Sequence, residues 1–557
     1  MQWKILNYLP QTTGKARVRS IVDAVLSNRN ITTDEQKESF FNPPNPLNIS
    51  PESARIDEQK LANAIKRLTV AIADKQPVLI YGDYDADGMT ATAILWEALM
   101  AAGAKAVPFI PNRELHGYGL SVKGLVDALK PFGDASQQPL VITVDNGIVA
   151  HEAADFLKEK GIELIITDHH QMSDTLPQCT HLIHTTHISG SGVAWFVAKE
   201  LSIESAALTL ELAAIGTVTD LLPLTDVNRA IVKHGLKRLS QTQRPGLKAL
   251  FSEAGVDSIE NLDTYHIGYV IGPRLNAMGR LEDPMDSLRL LCTRNAEKAI
   301  KLAHTLGDTN KTRQDLTLDF ITLAEELVSD PSAPVLIIAH EAFHEGVIGL
   351  VAGRLSEKYY RPSIVIAKGS ETSKASARSV PGINIIELIR TQESLLINAG
   401  GHPGAAGFSL ESSKVELFAD AMNAHAQTAI DPAQLQKSLT IDCQINLSDV
   451  DWKLHEALEP LKPFGMQNPE PVFSASNVKV ISARIVGREN THLSLKLQDS
   501  AGRYYSGIGF GLARLIDDPI KLERADLAFV LSRNDFNGKS SLQLRVKDIK
   551  TNEVLLT

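Results

Sequence analysis

Three short apolar runs in the first third of the chain, each closing on acid or imidazole, limit the fold more than any other feature. Val78–Tyr81 leads into GDYDADG, which carries Asp83, Asp85 and Asp87. LVITV leads into Asp145, and ELIIT into Asp168, His169 and His170. Each run is strand-sized and nearly unbroken in apolar character, and helix-patterned sequence such as HEAADFLKEKG separates one from the next. That alternation predicts a doubly wound, mostly parallel sheet with both faces buried. In such a sheet the carboxyl ends of the strands share one edge, where ligands bind, so acids roughly 60 residues apart converge there. Asp220, at the end of LELAAIGTVTD, is placed to close the cluster.

Convergent carboxylates cannot all stay ionised unless cations neutralise them. An oxygen-rich set with one imidazole suits Mn²⁺ or Mg²⁺ better than a structural zinc, which wants more sulfur or nitrogen. Four carboxylates and a histidine suffice for two ions about 4 Å apart, a pair that activates water and stabilises the leaving oxygen in phosphodiester cleavage. Taken singly, DxDxDG reads equally as a calcium loop or a solvated turn, DHH and VDNG as turns, and Asp220 as a helix-end residue. Their recurrence at the ends of core elements argues for a site.

The rest of the chain divides by pattern. Residues 1–50 end in the Pro/Asn-rich FNPPNPLNISPES, which reads as a linker or surface wrap. A catalytic domain is expected over 51–284, then a helical connector over 285–330 with Ile300, Ala303, Leu306, Phe320, Ala324 and Leu327 on apolar spacings. Over 331–430 a second α/β pattern runs from PVLIIA through VIGLVAGRL and SIVIA to the glycine-rich INAGGHPGAAGFSL. From 431 onward, alternating runs such as VKVISARIV, HLSLKLQ and DLAFVLS predict a linker and a small β-barrel of the OB type. The expected fold class is therefore α/β, with two such domains joined by a long helix and a barrel at the carboxyl end. No apolar run approaches the ~20 residues of a membrane span, and the amino terminus lacks a signal peptide's apolar core. Cys179, Cys292 and Cys443 are scattered, which argues against disulfides and thiolate sites and for a cytoplasmic protein away from membranes. The net charge of −10 argues against coating nucleic acid by bulk electrostatics. It leaves room for a nucleic-acid enzyme whose acids are offset locally by ions.

In order, GDYDADGMTATA (82–93), PNRELHGYGLS (111–121), VITVDNG (141–147), IITDHH (165–170), GTVTDLLPL (216–224), GPRLNAMGRL (272–281), FHEGVIGLVAGRL (343–355), SARS (376–379) and GGHPGAAGF (400–408) resemble the DHH phosphoesterase family and, within it, the RecJ exonucleases. The resemblance implies Asp83, Asp85, Asp145, His169 and Asp220 as ligands of two Mn²⁺ or Mg²⁺ ions, with His170 beside the scissile phosphate. Asp87 and Asp168 are expected behind them. Asp87 either touches metal or orients a neighbour; Asp168 orients the histidines through the backbone or holds the other ring nitrogen of His169. The chain departs from the family at Tyr81, where many members carry His or Val.

By the same resemblance Arg113, Ser376 and Arg378 hold the terminal 5′ phosphate, arginine supplying the planar fork that phosphate favours. Arg274, Asn276 and Arg280 would bridge the metal module to the DNA backbone, and Gly400, Gly401 and His402 would approach a phosphate. Outside the family these residues read as a surface ion pair, a loop hydrogen-bond network, an interdomain clamp and a structural histidine. His344, opening a predicted helix, is either a cap or a phosphate contact. In the barrel, Arg484, Arg488, Lys496, Arg503 and Lys539 with Tyr504, Tyr505 and Phe536 are candidates to track a strand and stack its bases. Solvated basic residues of any alternating strand are the alternative.

The implied activity is metal-dependent degradation of single-stranded DNA from the 5′ end by two-metal-ion hydrolysis, releasing mononucleotides, in recombination and DNA repair. A helicase and single-strand-binding protein are the implied partners, and a monomer is expected. Two other readings stand beside it: a phosphoesterase on short oligonucleotides or other small phosphodiesters, whose relatives are generally shorter and lack the barrel, and a non-catalytic single-strand-binding relative, which would lose ligands that this chain keeps. Deleting the barrel from about residue 440 is expected to weaken strand binding and spare some cleavage.

Overall fold

In the computed structural model, which describes residues 1–9, 13–133, 137–516, 519, 522–536 and 538–551, the chain begins with a short strand, Gln2–Ile5 (β1). It then builds a five-stranded parallel sheet from Pro77–Tyr81 (β2), Lys105–Phe109 (β3), Leu140–Val144 (β4), Leu164–Asp168 (β5) and His181–His184 (β6), in the order β3-β2-β4-β5-β6. The path starts centrally at β2, steps outward to β3 and crosses back to β4. That reversal makes a switch point between β2 and β4, the place where open α/β sheets bind ligands. β4 and β5 are buried throughout because helices cover both faces. Val122–Leu129 and His151–Glu159 pack on the side of Leu79, Tyr81, Val141 and Ile166, while Ala86–Ala101 and Gly190–Leu201 pack on the sheet as well and against each other. The helix after β2 starts at Ala86 because the Asp85 carboxylate accepts the Gly88 N–H at 2.9 Å and caps it.

The helix Ala296–Glu326, capped by Asn295, leads to a second sheet. Its strands are Leu336–His340 (β7), Ser363–Ala367 (β8), Thr372–Arg378 (β9), Leu396–His402 (β10) and Ala405–Glu411 (β11), in the order β10-β11-β9-β8-β7. β7 and β8 are parallel and the other pairs antiparallel, so the glycine-rich segment is a hairpin, β10–β11. Ile348–Tyr359 and the end of the long helix cover one face of this sheet; Ile385–Arg390 and Val415–Ala429 cover the other. The two sheets and the helices on them belong to a unit of Ala54–Asp220 and Lys237–Lys437.

A second unit gathers Met1–Ser53, Leu221–Leu236 and Ser438–Thr557. Ser438–Ile441 (β12) pairs in parallel with β1, and Cys443–Gln444 (β13), Phe473–Val486 (β14), His492–Gln498 (β15), Tyr504–Gly509 (β16), Arg524–Phe536 (β17) and Lys539–Thr551 (β18) follow. β14-β15-β16-β18-β17 closes through the β14–β17 pairing into the expected barrel. The amino-terminal residues before the Pro/Asn-rich stretch belong to this unit's core. Ile21, Val25, Leu26 and Phe40 share one core with Leu454, Phe473 and Phe529.

Within this unit Arg229, 1% exposed, donates to the carbonyls of Phe40, Pro460, Lys462 and Pro463, and its guanidinium lies 3.6 Å from the Phe40 ring centroid. Burial holds its pKa down at about 10. Arg229→Met leaves those carbonyls without their donor. It is expected to destabilise this unit by about 3 kcal/mol, read as a lower midpoint for this unit in urea unfolding.

Candidate active site

Every acid that the sequence singled out near the strand ends arrives at the switch point. Asp83, 2% exposed, follows β2, and Asp85 caps the next helix with one oxygen. Asp145 follows β4 at a φ of 64°, a conformation most side chains avoid. Asp220 ends the helix Ile203–Thr219. His169 Nε2 lies 3.1 Å from Asp145 Oδ1, 3.5 Å from Asp220 Oδ2 and 3.8 Å from Asp87 Oδ2. Three ligand sets each fit within 4.8 Å: Asp83, Asp85 and Asp145; Asp87, His169 and Asp220; and Asp145, His169 and His170.

These atoms crowd together without bonding one another. Asp83 Oδ1, Asp145 Oδ1 and His169 Nε2 are buried and have no aligned hydrogen-bond partner. Buried polar atoms rarely go unmatched; Asp145 shares one candidate ligand set with Asp83 and another with His169, which fits cations held among them. Their charges agree. Burial, then Asp85, pushes Asp83 up to about 8; burial, then Asp87 and Asp85, pushes Asp220 up to about 9. Burial and the neighbouring carboxylates raise Asp85, and raise Asp145 well above the usual range. Burial lowers His169. The donor set, all oxygen and imidazole, suits Mn²⁺ or Mg²⁺.

Asp168 and Asp87 hold this cluster in place. Asp168 Oδ1 accepts the backbone N–H groups of His169 (2.7 Å) and His170 (3.1 Å), and lies 2.8 Å from His170 Nδ1; Oδ2 accepts the Ile148 N–H at 2.8 Å. Of the two roles expected for Asp168, the backbone one is present, and the ring it holds is that of His170, not His169. Burial works against protonation of His170, but Asp168, then Asp220 and Asp83, outweigh it and raise the ring to about 9. Asp87 accepts the Gly190 N–H at 2.7 Å and the Ser191 N–H at 3.0 Å, tying the acidic loop to the start of Gly190–Leu201. Asn276 Oδ1 accepts the Ala86 N–H at 2.7 Å and so steadies the loop itself.

Gly190, in the run SGSG, escaped the sequence reading. A Cβ there would stand 2.2 Å from Asp145 Oδ1. Gly190→Ala is therefore expected to displace the carboxylate and lower cleavage about a hundredfold with the thermal midpoint little changed. Steady-state kinetics and a melting curve on one preparation check both halves.

The arginines expected at phosphate lie in the same unit. The Arg113 guanidinium sits 5.9 Å from the Tyr84 ring centroid, and Arg378 Nη1 lies 3.4 Å from Ser376 Oγ. Ser376 and Arg378 abut Gly349 at the start of Ile348–Tyr359. His402, on β10, is held below the usual range by burial, then by Arg378 and His170. Gly400 and Gly401 precede it in the hairpin, Gly401 at a φ of 148°. Arg280 Nη1 donates to the Gly346 carbonyl at 3.0 Å, an interdomain clamp, and Arg274 is paired with Glu253 at 2.8 Å. His344 opens no helix: its Nδ1 accepts the Gly346 N–H before Ile348–Tyr359 begins.

The sequence matches the DHH family, N-terminal domain, over residues 77–217, the DHHA1 domain over 332–428 and the RecJ OB domain over 441–548. It is 31% identical to the single-stranded-DNA-specific exonuclease RecJ of Bacillus subtilis over 99% of this chain and 71% of that one. It is 32% identical to the Escherichia coli enzyme of the same name over 87% of this chain and 89% of that one. The chain belongs to the RecJ family. Its fold matches the crystal structure of RecJ from Thermus thermophilus in complex with Mn²⁺, with a TM-score of 0.82 at 28% identity over 100% of this chain and 80% of that one. A Mg²⁺ complex of that RecJ is also similar, with a TM-score of 0.77 at 26% identity over 99% of this chain and 79% of that one.

In this RecJ family member the barrel candidates separate by what they touch. Lys496 and the exposed Tyr504 lie together on the outer surface, the ammonium 4.4 Å from the ring centroid, and Arg484 and Arg488 are exposed on and just after β14. Arg503 is spent on the turn: it pairs with Asp499 at 2.8 Å, and Asp499 also accepts the Tyr505 hydroxyl. Lys539 is exposed at the start of β18, while the Phe536 side chain lies outside the described residues. Among the described residues no helix is long and apolar enough to cross a membrane.

Proposed function

We propose that this chain is a metal-dependent exonuclease that removes nucleotides from the 5′ end of single-stranded DNA. The observation that carries this reading is the convergence of unmatched carboxylate and imidazole atoms in the unit that also holds Arg113, Ser376 and Arg378. Asp83, Asp85, Asp145, His169 and Asp220 would hold two divalent ions, Mn²⁺ or Mg²⁺. Bound there, such ions make water a nucleophile at neutral pH and offset charge on the leaving oxygen.

The chain's own residues do the rest. Asp168 fixes the His170 ring so that Nε2, on the far side from Asp168 and 3.4 Å from the Tyr118 hydroxyl, would meet the scissile phosphate. Arg113, Ser376 and Arg378 bind the terminal 5′ phosphate, which sets both polarity and step, so mononucleotides are the expected product. Gly400, Gly401 and His402 approach the strand with the β10–β11 hairpin. Arg484, Arg488, Lys496 and Tyr504 hold the strand's backbone and bases on the barrel. A role in recombination and DNA repair, beside a helicase and a single-strand-binding protein, and a monomeric state belong to the proposal through the family resemblance alone.

To test it, single and double strands labelled at either end are incubated with the protein and Mn²⁺. Single strands should shorten from the 5′ end into mononucleotides, and chelation should stop the reaction. Release from 3′ ends, or faster cutting of duplex, rejects the reading.

A further inference from the structure

Among the described residues, two guanidinium groups on neighbouring helices have no carboxylate partner. Arg280 lies on Gly272–Leu281 and donates to the Gly346 carbonyl. Arg313 lies on Ala296–Glu326, which packs against that helix. Among the described residues no carboxylate pairs with either, and the Arg313 Nε is buried without a partner. One turn earlier on the same helix face, Asn310 is 3% exposed and its Oδ1 is also unmatched. One face of this helix thus carries both an unmatched donor and an unmatched acceptor.

The structural arginines of this chain are engaged by other means: Arg229 spends its guanidinium on four backbone carbonyls, and others meet carboxylates. Arg244 is clamped by Glu97 at 2.5 Å and Glu211 at 2.9 Å, and Arg29 by Asp442 at 3.0 Å. Around Arg280 the charges are alike. Burial, then Arg113, with Arg378 and Arg313 beyond it, lowers Arg280 to about 10, while Tyr84 of the metal loop opposes them. Arg378 feels Arg113, whereas Arg313 feels Arg274. Arg280 therefore has Arg113, Arg378 and Arg313 all among the charges it feels. A shielded cation without a counter-ion is costly unless a ligand supplies the anion, and arginine favours phosphate.

We propose that Arg313, together with Arg280, binds an internucleotide phosphate of the substrate strand, beyond the terminal-phosphate set of Arg113, Ser376 and Arg378, and that Asn310 accepts a hydrogen bond from the nucleotide held there. This rests on the exonuclease reading above.

Arg313→Gln and Arg378→Gln are compared with wild type in Mn²⁺ on single strands that carry a 5′ phosphate or a 5′ hydroxyl. Arg313→Gln should raise KM about tenfold for both ends alike, keep the wild-type preference between ends, and reduce the salt slope of binding by about one. Arg378→Gln should collapse that preference. The thermal midpoint of Arg313→Gln should equal or exceed that of wild type, since an uncompensated charge is gone. An unchanged KM means no phosphate contact; a lost end preference moves Arg313 to the terminal phosphate; a midpoint several degrees lower makes it structural. Each overturns the proposal. If wild type itself fails to cut, the exonuclease reading falls, and the salt slope of oligonucleotide binding still decides on Arg313.

Discussion

Asp145→Asn should slow strand hydrolysis roughly a thousandfold or more, about 4 kcal/mol of transition-state stabilisation, and yet make the metal-free protein more stable. Asp145 is 2% exposed, its Oδ1 has no aligned partner, and Asp83, Asp85, Asp87 and Asp220 all raise its proton affinity further. Asparagine keeps the shape, removes the charge, and sits more readily at the observed φ of 64°. It also removes a ligand oxygen 3.1 Å from His169 Nε2. Relief of charge crowding of this kind is typically worth about 1–2 kcal/mol, a melting midpoint a few degrees higher in EDTA. Wild-type cleavage rates, or a lower midpoint in EDTA, would remove Asp145 from any cation site.

The same crowding gives stability a pH dependence of definite sign. Folded, Asp83 and Asp220 keep their protons up to about 8 and about 9. Unfolded, they release them near ~4. Between those limits the folded state binds more protons, so metal-free stability falls as pH rises from about 4 to about 9. His170, raised to about 9, acts in the same direction. Divalent ions bind the ionised cluster, so their affinity climbs through the same window. The gap between melting midpoints in Mn²⁺ and in EDTA should therefore widen from roughly pH 6 to pH 9, and should nearly close in Asp145→Asn. An equal gap at both ends of that range contradicts the assignment.

Much of this site was legible because strand ends are local. An apolar run followed by Asp is visible within a few residues, and the parallel topology then brings Asp83, Asp145 and His169 to one edge. The residues that hold them were legible by family resemblance, but their partners, remote in sequence, were not. Asp87 is expected behind the ligands, yet the N–H groups of Gly190 and Ser191 that it accepts have no local signature. Asn276 is expected toward the DNA backbone, and its hold on the Ala86 N–H is visible only in the fold. Gly190 carries no chemistry of its own and matters only for the carboxylate it makes room for. The pairing of Gln2 with Ser438 has no signature in hydrophobic period, so nothing in the pattern joins the amino-terminal residues to the barrel's unit.

That pairing reverses the outcome expected of a barrel deletion. A chain ending at Lys437 should aggregate on expression instead of cutting with weaker strand binding. Without residues 438–557, β1 loses β12, and Ile21, Val25, Leu26 and Phe40 lose the core they share with Leu454, Phe473 and Phe529. Each such side chain returned to water costs about 1.5–3 kcal/mol, and the bared faces form an apolar patch of the kind that drives association. Arg229 also loses the carbonyls of Pro460, Lys462 and Pro463. Removing Met1–Ser53 as well does not cure the defect, since Leu224, Val227, Ile231 and Val232, buried in the intact chain, remain. Size-exclusion chromatography of the truncated protein decides: a monodisperse, cleavage-competent monomer would show that this core is dispensable. The barrel's hold on the strand is better tested at Lys496 and Tyr504, whose exposed contact can be removed by alanine without disturbing that core. There the expected change is a higher KM, by about tenfold, at unaltered melting midpoint.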